Sequence, residues 1–210
     1  MLKRPLFIVF EGLDGSGKST CAALVAKRLE AELMTTPSPD VRRYRDALVE
    51  ALGPSQEARQ LFYLATVFAA SEKVAALLAE GRSVVLDRYF LSTQAYAAFR
   101  GSRLASAVSL APRGPARMGI DEVQRLLTPA DATVYLDTPL STRVERLRRR
   151  GASEADLETI TAEADARLRE EHLGRASLGV LGRLVHVQVA REDAETVCDR
   201  VVAALRAHLG

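Results

Sequence analysis

The sequence predicts an α/β fold: a five-stranded parallel sheet flanked by helices. Three observations predict it. Short apolar runs of strand length recur along the chain, segments of helical spacing separate them, and a glycine-rich turn joins the first run to the first helix. Residues 6–10 (Leu-Phe-Ile-Val-Phe) are wholly apolar, as strands covered on both faces are. An amphipathic helix is expected over Ser19–Glu30, then a second strand at 32–36 (Glu-Leu-Met-Thr-Thr). Apolar helices follow at 56–80 and 92–99, on either side of a strand at 83–86 (Ser-Val-Val-Leu). Residues 100–119, with Gly, Pro, Ser and Arg, predict a long loop or a mobile excursion. Further strands are expected at 132–136 and 184–189. Leu157, Ile160, Ala164 and Leu168 recur at helical spacing, as do Ala194, Val197, Val201 and Leu205. Strands alternating with helices imply right-handed crossovers. No repeat or linker divides residues 1–210, so one domain is expected.

Bulk composition excludes several classes. With 210 residues, 48% of them hydrophobic, the chain can bury one core. A net charge of +2 lacks the basic excess of a nucleic-acid binder. Only Lys3, Lys18, Lys27 and Lys73 are lysines, which makes Lys18 stand out. Two cysteines, Cys21 and Cys198, cannot form a disulfide framework and read as buried inert thiols. Five apolar residues near the N-terminus are too few for a signal-peptide core, and no stretch reads as a membrane span. A cytoplasmic protein is expected.

Residues 12–19 read Gly-Leu-Asp-Gly-Ser-Gly-Lys-Ser, which fits the phosphate-loop pattern G-x-x-x-x-G-K-[ST] in full. Gly12, Gly15 and Gly17 allow successive N–H groups to turn inward around an anion, with Ser16 between them. The helix that starts near Lys18 and runs on through Thr20 adds its positive end. Lys18 is expected to reach the β- and γ-phosphates of ATP, and the Ser19 hydroxyl to ligate Mg²⁺. A chance match in a chain this long is about a one-in-a-hundred event. A P-loop NTPase fold is therefore expected, although the motif alone names no reaction. No Asn-Lys-x-Asp segment of a guanine-nucleotide switch occurs.

Asp87-Arg88-Tyr89 closes the third strand, where open α/β sheets bind ligands. Asp87 there can hold Mg²⁺ through water or orient an acceptor, and Arg88 can grip a phosphate. Standing alone, the two residues are also the pattern of a structural ion pair.

Taken together, Phe10 to Thr20, Tyr44-Arg45, Leu61-Phe62-Tyr63, Asp87-Arg88-Tyr89, Ser92-Thr93-Gln94-Ala95-Tyr96 and the run ending Arg150-Gly151 resemble the thymidylate kinase family. The resemblance covers about residues 6–205. It implies a nucleoside monophosphate kinase that uses MgATP, commonly as a homodimer through helices such as 56–80 and 92–99. It implies that Asp14 and Tyr96 approach the acceptor sugar, that Arg45 and Arg88 bind the acceptor phosphate, and that Phe62 stacks on the base. Phe62 and Thr66 share one helix face, although an aromatic there also suits core packing.

Residues 143–150 hold five arginines in eight, with Arg143, Arg146 and Arg150 on one helical face. Such runs are often solvated, but phosphoryl transfer needs positive charge over the transferring group. Gly15 carries no side chain, so the resemblance assigns that charge to a lid at about 148–158. Arg146 and Arg150 lead as catalytic candidates with Lys18 and Asp87, and Arg148 and Arg149 come next.

Three departures from the family bear on the substrate. Thr66 stands where thymidylate kinases carry an Arg, Thr35–Pro39 replaces an Arg-Glu-Pro segment, and Ala97-Ala98 replaces Gln-Gly. These features resemble the mitochondrial-type UMP/CMP kinase branch. The acceptor is thus expected to be a pyrimidine monophosphate, dTMP or UMP/CMP. A nucleoside or other small-molecule kinase, and a nucleotide-binding regulatory protein without turnover, are the alternatives.

Overall fold

A computed structural model describes residues 4–106, 123–152 and 154–209. Five strands form one parallel sheet: β1 (Phe7–Glu11), β2 (Glu32–Thr35), β3 (Val84–Asp87), β4 (Ala132–Asp137) and β5 (Arg183–Gln188), in the order β2-β3-β1-β4-β5. Two apolar layers cover it. On one face Ile8 and Phe10 pack with Val85, Val134 and Leu136 beneath α1 (Lys18–Arg28) and α10 (Ala194–Leu209). On the other, Phe7, Val9, Val84 and Leu86 meet α4 (Gln56–Ala79) and α5 (Phe90–Phe99). Because β1 is buried on both faces, its run is apolar without alternation, as the sequence predicts.

Short helices complete the chain: α2 (Pro39–Arg42), α3 (Arg45–Ala51), α6 (Arg103–Ser106), α7 (Leu140–Arg149), α8 (Glu154–Leu157) and α9 (Ala162–Leu173). Strand ends differ from expectation by about one residue. Glu11, Asp87 and Asp137 belong to their strands because ladder bonding continues past the last apolar side chain, with Arg88 N donating to Phe10 O at 2.9 Å.

Three expectations need correction. The spacing of Leu157, Ile160, Ala164 and Leu168 does not mark one helix. Thr161 adopts an extended conformation (φ −81°, ψ 156°) and its hydroxyl accepts from Ala164 N at 3.1 Å, so the chain breaks after α8 and restarts as α9. Residues 103–106, expected as loop, form a helical turn whose first residue is anchored by Glu57; Arg103 N and Nε donate to its carboxylate at 3.2 and 2.9 Å. The rest of that expected loop, 107–119, lies outside the described residues. Finally, α4 is long and apolar enough to cross a membrane by length and composition. In this fold Leu64, Val67, Val74 and Leu77 turn inward with the polar Gln60 and Ser71.

Cys21 and Cys198 are both buried in the layer between α1 and α10. Burial pushes the Cys21 thiol up to about 12 and raises Cys198 too, which leaves both protonated and inert.

Candidate active site

The glycine-rich turn links β1 to α1 at the carboxyl end of the sheet. Gly17 caps α1 with φ 93°, no side chain bonds to the helix start, and no acid sits in its first turn. That end is open to an anion. Gly15 (φ +80°) has no room for a side chain: a Cβ would lie 2.9 Å from Arg143 O and 3.0 Å from Leu147 Cγ. Helix α7 therefore sits directly against the loop.

Lys18 is buried and folds back over the loop. Its Nζ donates to Leu13 O at 3.3 Å and lies 3.7 Å from Asp14 Oδ1. Burial and the Arg88 charge pull the ammonium down to about 8, against Asp14, Asp87 and Glu11. Thr20, next in the helix but one, is exposed. The Ser19 hydroxyl donates to Asp87 Oδ2, while Asp87 Oδ1 and Ser16 Oγ are buried without a protein partner. A hydroxyl, a carboxylate and an unfilled buried oxygen at the mouth of a phosphate loop suit Mg²⁺, which keeps most of its ligands as water and phosphate. Among the described residues no group of three His, Cys, Asp or Glu forms a metal cage.

Beside the loop, Asp14, Arg88 and Tyr96 form one cluster. Arg88 Nη2 donates to Asp14 Oδ1, Tyr96 donates to Asp14 Oδ2 at 2.8 Å, and the guanidinium lies 5.4 Å from the Tyr96 ring centre. Burial alone would raise the Asp14 carboxyl. The charges of Arg88 and Lys18 and the Tyr96 hydrogen bond outweigh it and hold Asp14 well below the usual carboxylate range. Burial would likewise lower Arg88, yet Asp14 and its neighbours leave it raised. The Arg150 charge also reaches Asp14.

Arg88 stands at φ +70°, which costs a non-glycine residue about 1–3 kcal/mol. Glu11, unassigned from sequence, holds that turn. Its Oε1 accepts from Tyr89 N at 2.9 Å and Ser92 N at 3.1 Å, and its Oε2 from the Ser92 hydroxyl, which in turn accepts from Arg88 Nη1 at 3.0 Å. Glu11 caps α5 from across the sheet. Burial pushes its carboxyl up, although these bonds and Arg88 oppose the shift. The available signal was an acid ending an otherwise apolar strand.

Other expected site residues are not brought into this cluster. Arg45 is half-buried and bonds its neighbour Asp46 at 2.8 Å. Phe62 lies edge-on to Tyr63, 5.1 Å between ring centres, in an open apolar groove of about 410 Å³ with Leu48, Leu52 and Leu61. Thr66 is buried and spends its hydroxyl hydrogen on Tyr63 O at 2.7 Å. In the replaced Thr35–Pro39 segment, Arg42 Nη2 donates to Thr35 Oγ1 at 2.8 Å. Arg146 approaches the loop from its carbonyl side, with Nη1 3.0 Å from Ser16 O. Arg150 ends α7 and pairs with Asp156 at 2.9 Å.

The model of the thymidylate kinase family matches residues 10–175. A probable thymidylate kinase of Thermococcus kodakarensis is 29% identical over 98% of this chain and 99% of its own. A thymidylate kinase of Akkermansia muciniphila is 34% identical over 70% of this chain and 69% of its own. The solved thymidylate kinase of Candida albicans superposes with a TM-score of 0.68 at 22% identity, covering 97% of this chain and 92% of the other. At that identity it supports the five-stranded fold alone.

Proposed function

The chain belongs to the thymidylate kinase family, and from that premise we propose that it transfers the γ-phosphoryl group of ATP to the phosphate of thymidine 5′-monophosphate. The observation that carries the roles is that Lys18 and Arg88 meet on one carboxylate, Asp14. Lys18 donates to Leu13 O, which leaves ammonium N–H groups on that side of the loop for phosphate oxygens to accept.

The donor side is the phosphate loop. Gly12, Gly15, Ser16, Gly17 and Thr20 contribute backbone to it, and Lys18 contributes charge. Ser19 and Asp87 would hold the metal, Asp87 partly through water. ATP with Mg²⁺ supplies the transferable phosphoryl group and a screen for its charge. On the acceptor side Arg88 grips the acceptor phosphate, while Asp14 and Tyr96 set its direction. Arg45, Phe62 and Thr66 extend that side toward the phosphate and base. This assignment requires Arg45 to leave Asp46, an exposed pairing worth little. Arg146 and Arg150 supply further charge along the loop's flank.

Relatives named thymidylate kinases support thymidylate over UMP or CMP. A coupled ADP-release assay across dTMP, dUMP, UMP, CMP, dCMP, AMP and GMP tests the proposal. The highest kcat/KM is expected with dTMP. A maximum at UMP or CMP would reassign the base. No turnover with any acceptor, alongside intact ATP binding, would favour a nucleotide-binding protein without catalysis.

A further inference from the structure

Among the described residues, Arg143 is the largest side chain that is wholly buried. A guanidinium withdrawn from water is costly unless its N–H groups are matched. Here they are. Nε donates to Asp14 O at 2.7 Å, Nη1 to Asp165 Oδ1, and Nη2 reaches Thr159 O at 3.5 Å. Asp165, on α9, also accepts from Arg169 Nε at 2.7 Å. One side chain thus joins the phosphate loop to two later parts of the chain.

The neighbouring carbonyls of the loop are held from the same side. Arg146 Nη1 lies 3.0 Å from Ser16 O and 3.4 Å from Gly15 O, and Thr138 Oγ1 donates to Ser16 O at 3.0 Å. Three successive carbonyls, those of Asp14, Gly15 and Ser16, are drawn outward toward β4 and α7. An anion nest needs this orientation, because a peptide whose oxygen points out presents its N–H inward. Of the three N–H groups, that of Ser16 is held within the loop by Leu13 O at 3.1 Å, and those of Gly15 and Gly17 are the ones turned toward an anion. A glycine-rich loop left to itself loses much entropy on adopting one such arrangement.

We propose that Arg143 is a positioning residue for the phosphate loop: through the Asp14 carbonyl it sets the loop's amides toward nucleotide phosphate before nucleotide arrives, and through Asp165 on α9 and Thr159 in the turn before it, it ties that setting to the later part of the chain. The inference rests on the kinase reading above. It predicts an effect on the donor nucleotide rather than on the acceptor, which a mere brace between helices would not produce.

The test measures ATP affinity by calorimetry, the KM values for ATP and dTMP, and thermal melting. Wild type is compared with Arg143→Met, Asp165→Asn and the double variant R143M/D165L. R143M is expected to weaken ATP binding at least tenfold and to raise the KM for ATP similarly, with the KM for dTMP changed less than threefold. D165N keeps the Arg143–Asp14 bond, so it is expected to lower the melting temperature while holding ATP affinity within threefold. The double variant removes both charges together and so leaves neither unpaired, which protects folding if R143M alone does not fold. It is expected to lose ATP affinity as R143M does. Wild-type ATP affinity in a folded variant lacking Arg143, or equal losses in D165N and R143M, would reduce Arg143 to a brace. A wild-type chain that bound no ATP would overturn the kinase reading as well.

Discussion

Lys18→Ala is expected to lower kcat about 10³-fold or more with the fold intact, because a fixed cation over a transferring phosphoryl group is worth several powers of ten. The fold survives because Asp14 keeps Arg88 and Tyr96 as partners, so no buried carboxylate is left alone. Turnover and the melting curve read the two effects separately, and substantial residual kinase activity would remove the loop lysine from the mechanism. The same residue has a pH signature. Its folded pKa is depressed to about 8, so the ammonium loses its proton earlier than an ordinary lysine. If the charged form binds phosphate, kcat/KM for ATP falls as pH rises through about 8, since that ratio reports free-enzyme groups. A profile flat to pH 10 would show that Lys18 stays charged.

Glu11→Ala is expected to reduce both stability and acceptor use. It leaves the Tyr89 and Ser92 N–H groups unpaired in a buried site, at about 1–3 kcal/mol each. The two together total about 2–6 kcal/mol, so the melting temperature should fall by roughly 4–24 °C for a chain of this size. It also frees the Ser92 hydroxyl that steadies Arg88, so the KM for dTMP should rise at least tenfold and more than the KM for ATP. Glu11→Gln keeps one accepting oxygen and should fall between the two. Equal changes in both KM values would mean that Glu11 supports the fold without directing Arg88.

Much of the donor half of this site was legible in the sequence, because a phosphate loop is local. Gly12 to Ser19 are consecutive, and the strand before and the helix after them announce themselves by apolar runs and spacing. Asp87 could be placed for a related reason: strand ends mark the ligand side of a parallel sheet, and Ser19 indeed meets it. The break at Thr161 was less legible, since apolar spacing continues across it while a single side-chain cap ends the helix.

Which arginine does what was not legible at all. Arg143, Arg146 and Arg150 share a face by spacing, yet one is sealed beneath the loop, one braces loop carbonyls, and one pairs with Asp156. Their partners lie up to 131 residues away in sequence. Sequence alone determined the sheet's strands, the phosphate loop and the kinase family. Tertiary structure decided that Glu11 holds Arg88, that Arg143 holds Asp14, and that Arg45 stands apart from both. Local backbone preference and apolar period act over a few residues and survive in the string. Charge pairing between buried groups depends on which strands neighbour each other, and that order exists only once the chain has folded.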